Sequence, residues 1–156
     1  MPDKIRKANV NDLTPVRKEE HPGYTHDRRH FVKHGERAQM VACVYELQPG
    51  NAMCPYHYHL QNEELFYIIS GTGLLRTPEG EEVVGPGDLI YFPANANGAH
   101  KLLNTSDTEV LRYLDVDTNH AVDLCFYPDS GKLGVWGSKH NAIFLQDDTH
   151  DYWDGE

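Results

Sequence analysis

Between residues 40 and 127 no apolar pattern with a helical period runs for any length. Nine short segments rich in β-branched and aromatic residues follow one another instead (40–47, 52–60, 64–70, 73–77, 82–84, 88–92, 100–103, 109–116 and 121–127). They are punctuated by Pro49-Gly50, Ser70-Gly71, Pro78-Glu79-Gly80, Gly85-Pro86-Gly87, Asn95–Gly98, Asn104–Asp107 and Asp117–Asn119. Alternating strands and turn residues at this close spacing predict an all-β sandwich or barrel. A jelly-roll closure protects the sheet edges that such a chain would otherwise expose.

The flanks read differently. Residues 1–36 are polar and charged, and are expected to form an N-terminal arm holding at most one short strand or helix. His26, His30 and His34 would share one face of a helix, but only Phe31 and Val32 accompany them, and Arg28, Arg29 and Lys33 would repel a cation. A solvated arm is the expectation. Residues 37–127 are expected to be the barrel. Residues 128–156 begin with a turn at Pro128–Gly131, offer a further strand over 133–136, and end in an acidic stretch with Tyr152 and Trp153. Paired aromatics near a chain end predict a tail docked on the barrel, at its mouth or at a dimer interface. At 156 residues, one such domain accounts for the whole chain.

Two segments concentrate chemistry. In the first, Gly50–Gly71, His57 and His59 are two apart, so on a strand both imidazoles project from one face. If the following run pairs antiparallel, a carboxylate at Glu63 or Glu64 returns beside them. Two imidazoles and a carboxylate on neighbouring strands suit a divalent ion. In the second, Gly85–Asn104, a Gly87-Asp88 turn precedes a strand to Phe92 and a loop from Pro93, and His100 opens the next strand as a candidate third imidazole.

These segments resemble the two motifs of the cupin superfamily, in its small single-domain type with one conserved barrel. The first motif is matched by Gly50, His57, His59, Glu64 and Gly71, with one extra residue after Gly50. The six residues between Glu64 and Gly71 select Glu64 over Glu63. The second motif is matched by Gly87, Pro93, His100 and Asn104, but Asn95 stands where a glycine is expected and His100 comes two residues late. The altered loop puts the pocket mouth in question more than the ligand. The resemblance implies a double-stranded β-helix in which His57, His59, Glu64 and His100 hold one divalent metal ion per chain, with positions left for water or substrate. Nitrogen and oxygen donors suit Fe, Mn, Ni, Co or Zn alike. A closed structural zinc site is disfavoured, because such sites usually use Cys. The competing reading keeps the histidines as hydrogen-bonding groups in a barrel that binds little metal.

Parity places other residues. Tyr56 and Tyr58 should face away from the ligands, towards the exterior or a partner. Phe66, Ile68 and Ser70 should face inward with Glu64, and one of Tyr91 and Phe92 should do so. Cys43, Cys54 and Cys125 are odd in number and widely spaced, so they are expected to be reduced core residues in a cytoplasmic protein rather than a disulfide framework. Lys101 and Arg112 are candidates for reaching an anionic substrate.

With 14 basic and 24 acidic residues the net charge is −10, which disfavours nucleic acid and anionic membrane surfaces. No apolar run approaches the ~20 residues of a membrane span, and the charged N-terminus does not read as a secretory signal. The expected function is a small metal-dependent isomerase, epimerase or lyase acting on a sugar or small organic acid. The alternatives are an iron-dependent dioxygenase and a non-catalytic binding or sensing barrel. No catalytic residue beyond the metal set is identified, and a homodimer is what the resemblance implies.

Overall fold

The computed structural model describes residues 4–36, 38–137 and 141–156; the expected barrel start at residue 37 lies outside them. Thirteen strands are formed among the described residues: β1 (Val16–Lys18), β2 (His26–Val32), β3 (Met40–Leu47), β4 (Tyr58–His59), β5 (Glu64–Ser70), β6 (Gly73–Thr77), β7 (Gly80–Val84), β8 (Leu89–Phe92), β9 (Lys101–Asn104), β10 (Leu111–Thr118), β11 (Val122–Tyr127), β12 (Lys132–Gly137) and β13 (Asn141–Leu145). Every pairing is antiparallel.

One layer is the six-stranded sheet β1-β2-β3-β10-β5-β8. Facing it are the sheets β13-β12-β11-β4 and β7-β6-β9. These two are stitched together by a backbone bridge between His57 and His100. The result is the jelly roll that the turn spacing predicts. The alternation that drives it is plain in β5, where Glu64, Phe66 and Ile68 are buried while Leu65 and Tyr67 face out. The core joins Leu47, Phe66, Ile68, Phe92, Leu111 and Tyr113 of the large sheet to Leu75, Val84 and Leu102 of the smaller one. Each such side chain, fully buried, contributes about 1.5–3 kcal/mol.

The segments at 40–47, 64–70 and 73–77 form strands over those same residues. The segment at 52–60 does not: only Tyr58–His59 is a strand, and Ala52 and His57 make single bridges to Leu103 and His100. Pro55 has no N–H to give a ladder, so pairing restarts only beyond it.

The N-terminal residues depart further from expectation. They supply β1 and β2, which extend the large sheet beyond β3. His26 and His30 share a face, but the face of a strand. His26 is buried; its Nδ1–H donates to the Tyr24 carbonyl at 2.7 Å and its Nε2 accepts from Arg28 Nε at 2.9 Å. Arg29 ties the strand to the preceding chain by donating to the Leu13 carbonyl at 2.6 Å and to Glu46 at 2.9 Å. Both faces of β2 carry charged or polar groups, so the strand leaves no apolar period in the sequence.

At the other end, the strand expected at 133–136 forms within β12, and β13 adds a further one. Tyr152 and Trp153 are not docked. They are 82% and 71% exposed and pack edge-to-face on each other at 4.9 Å.

Candidate metal centre

The kink at Pro55 sets the site. It delivers His57 to a two-hydrogen-bond bridge in which His57 N–H donates to the His100 carbonyl at 3.1 Å and His100 N–H to that of His57 at 2.9 Å. Both imidazoles therefore leave one backbone pair, with ring centroids 4.7 Å apart. His59, two residues on, brings its ring to 5.0 Å from that of His57. Glu64, the first residue of β5, places Oε1 at 3.7 Å from His59 Nε2 and Oε2 at 3.3 Å from His100 Nε2. All four residues expected from the sequence are brought together. Glu63 points outward and accepts from the Tyr91 hydroxyl at 2.6 Å.

Each ring is held by its Nδ1. His100 Nδ1 meets the Gly98 carbonyl at 2.9 Å and His57 Nδ1 meets the Pro55 carbonyl at 3.0 Å. His59 Nδ1 is paired with the Asp123 carboxylate, which also accepts from the backbone N–H of Gln61 at 2.9 Å. Protons held at Nδ1 leave the Nε2 lone pairs free to ligate. Phe92 stacks on His100 at 3.7 Å and Phe66 meets its edge at 5.3 Å, fixing the ring plane.

The electrostatics show what the cluster lacks. His100 Nε2 is buried with no hydrogen-bond partner among the described residues, beside a carboxylate that is itself an acceptor. Two acceptors 3.3 Å apart out of water require a proton or a cation between them. Burial pushes Glu64 up to about 8 and His100 down to about 4. Burial, reinforced by the charges of His100 and His59, holds His57 well below its usual range. Burial would lower His59 too, but its bond to Asp123 and the nearby Glu64 carboxylate raise it overall. Three neutral nitrogens and one carboxylate oxygen fit a borderline divalent ion.

Several residues at the site escaped the sequence reading. Asp123 is one; nothing local marks a residue 64 positions from His59 in the chain as its partner. Asp117 and Asp115 lie directly across β10–β5 from Glu64 and Phe66. Their inward parity follows from the alternation of Leu111, Tyr113, Asp115 and Asp117, a signal the sequence does contain. Cys54 and Cys125 are reduced as expected, but both adjoin the imidazoles. Lys101 and Arg112 do not reach the site: Lys101 lies over the Tyr24 ring at 5.4 Å, and Arg112 pairs with Glu46 at 3.2 Å. Tyr56 is buried under the Arg76 guanidinium at 3.9 Å, and Tyr58 stacks on Phe126 at 5.1 Å.

The altered loop before His100 has a simple form. Asn95 caps a 3-10 turn over Ala96–Gly98 with its side chain accepting from Asn97 N–H at 2.8 Å. The turn absorbs the two extra residues, and the close approach falls at Gly98, where a Cβ would sit 2.1 Å from the Pro93 carbonyl oxygen. The core side of the site is nearly filled. A cavity of about 10 Å³ lined by Met53, Cys54, Phe66, His100, Leu102 and Tyr113 has room for about one water. The His59 side chain is 18% exposed against 5% for Glu64 and 2% for His100, so solvent reaches the cluster from the His59 side.

Residues 43–117 match the cupin domain family model. A curated relative is the auxin-binding protein T92 of Nicotiana tabacum, 29% identical over 80% of this chain. The chain spans 65% of that relative's length. Among solved structures, a sugar phosphate isomerase of the cupin superfamily from Silicibacter pomeroyi superposes with a TM-score of 0.81 at 21% identity, covering 96% of this chain and 98% of its own. A protein provisionally described as a sugar phosphate isomerase, from Acidithiobacillus ferrooxidans, gives 0.80 at 24% identity over 91% of both chains. Fold, motif residues and family match agree on a cupin domain over residues 43–117, in a chain with the cupin jelly-roll fold.

Proposed function

We propose that this protein is a metal-dependent enzyme of isomerase type acting on a sugar or a small organic acid. His57, His59, Glu64 and His100 would hold one divalent ion of the Fe, Mn, Ni, Co or Zn group. The observation that carries the reading is the convergence on Glu64 of the Nε2 atoms of His59 and His100 and a ring nitrogen of His57, with His100 Nε2 buried and without a hydrogen-bond partner among the described residues. The description of two similar structures as sugar phosphate isomerases supports the choice of chemistry.

A bound divalent ion would polarise a substrate carbonyl or hydroxyl as a Lewis acid. The chain's own residues supply the rest. Asp123, Pro55 and Gly98 orient the imidazoles, and Phe92 and Phe66 exclude water from His100. Asp117 lies beside Glu64, and burial raises it above the ordinary carboxylate range. A carboxylate so placed would take and return a proton at its Oδ atoms.

We further propose a homodimer through the outer face of β5 and β8, where Leu65, Tyr67, Leu89 and Tyr91 are exposed together. The free state of Cys43, Cys54 and Cys125 supports a cytoplasmic setting. No helix of the described residues is long and apolar enough to cross a membrane.

The test is elemental analysis of untagged protein purified without chelator. About one equivalent of a divalent metal per chain, lost in His57→Ala and His59→Ala, is expected. Metal content unchanged in both variants would overturn the metal assignment. Turnover of aldose or ketose substrates that persists without oxygen is expected of an isomerase; strict oxygen dependence would replace it with a dioxygenase.

A further inference from the structure

Two thiols adjoin the same imidazoles that Glu64 faces. Cys125 lies directly across the β4–β11 pair from His59 and is buried. Its Sγ and a ring nitrogen from each of His57 and His59 all fall within 4.8 Å of one another. A ligand atom from each of His57, Glu64 and His100 meets the same limit. Cys54 adds a second sulfur, 3.3 Å from His57 Nδ1. His57 thus belongs to two donor groups, one completed by oxygen and one by sulfur.

We infer that the barrel holds a second, sulfur-containing metal site, His57–His59–Cys125, which overlaps the oxygen-containing one and captures thiophilic divalent ions. Thiolate is a soft donor and carboxylate a hard one, so the two groups sort ions by softness. Metal–sulfur and metal–nitrogen bonds of about 2.3 and 2.0 Å hold such donors roughly 3.5 Å apart, within small rotamer movements of the spacing observed. As the sulfur–metal bond forms, the Cys125 thiol releases its proton to solvent, and no electron is transferred. Both sites need His57 and His59, so they cannot be filled at once. A thiophilic ion held at Cys125 therefore excludes the ion proposed for catalysis. Cys54 sits behind His57 Nδ1 and is not part of the set.

This inference shares its two histidines with the proposed function but not its Glu64 or His100. Metal-free protein is titrated with Cd(II) and, separately, with Mn(II). Cd(II) is expected to give the ultraviolet thiolate-to-cadmium charge-transfer band, saturating at one equivalent. The band should persist in Cys54→Ser and vanish in Cys125→Ser, with Cd(II) affinity down on the order of ten-fold or more and Mn(II) affinity little changed. Cadmium NMR of the wild-type protein reads sulfur ligation directly, whether or not Cys125→Ser folds. A wild-type cadmium resonance without sulfur character, or a band lost in Cys54→Ser and kept in Cys125→Ser, overturns the site. If none of Mn(II), Fe(II), Co(II), Ni(II) and Zn(II) binds with an affinity that falls in Glu64→Gln while the Cd(II) band appears, the metal site of the proposed function is removed and this site is left standing.

Discussion

Asp123, on β11, is hydrogen-bonded to Nδ1 of His59 on β4 and is almost wholly buried. The same carboxylate accepts from Gln61 and Asn62 N–H, at 2.9 and 3.4 Å. One acid therefore shapes the turn after His59 and sets which nitrogen of its ring is free. Burial would raise Asp123, but its bond to His59, the charge of that ring and the two backbone N–H donors together keep it below the ordinary carboxylate range.

Asp123→Asn keeps an acceptor for the turn but offers an N–H donor to His59. It should lower metal affinity by about 10–100-fold while the fold persists. Chelator competition gives the affinity and circular dichroism the fold. An affinity equal to wild type would show that Asp123 does not orient His59.

Glu64→Gln should change the pH dependence of the metal-free protein. With a folded value of about 8 against 4.5 unfolded, the buried carboxyl keeps its proton over a range where the unfolded chain has lost it. Its contribution is fully present below about pH 4.5 and is lost as pH rises to about 8, at about 1.4 kcal/mol per pH unit. Denaturant titrations should show the variant gaining on wild type across that window and levelling off above it. A constant difference from pH 4 to pH 9 would contradict the burial of an isolated carboxyl.

Gly98→Ala must push the new methyl against the Pro93 carbonyl, 2.1 Å away. A cost of about 1–3 kcal/mol is expected. Because the Gly98 carbonyl also holds His100 Nδ1, metal affinity should fall with it. Gly85→Ala is the control: a Cβ there meets nothing within 4 Å, so a change within about 0.5 kcal/mol is expected. Thermal melts of the two variants side by side make the comparison.

Leu89→Asp places a charge in the exposed apolar face that Leu65, Tyr67 and Tyr91 complete. Sedimentation should find wild type dimeric and the variant monomeric, with metal content unchanged. A wild-type monomer at micromolar concentration would end the dimer proposal.

The sequence by itself determined the barrel, because strand and turn spacing is local, while the resemblance to the cupin motifs singled out His57, His59, Glu64 and His100. Strand alternation has a period of two, so Glu64, Phe66 and Ile68 had to share a face, and His57 and His59 had to project together. The six residues from Glu64 to Gly71 distinguished Glu64 from Glu63 only through the resemblance to the cupin motif, which has that spacing. What only the tertiary structure decided depends on pairing between distant strands. Asp123 reaches His59, and Cys125 reaches His57 and His59, only through the β4–β11 register. The strand β2 was invisible because its faces are charged and its partners lie in β1 and β3. Lys101 and Arg112, near the site in sequence terms, were turned away by Tyr24 and Glu46. Local chemistry fixes which way a side chain points from its strand, whereas the closure of the sheets fixes what it meets.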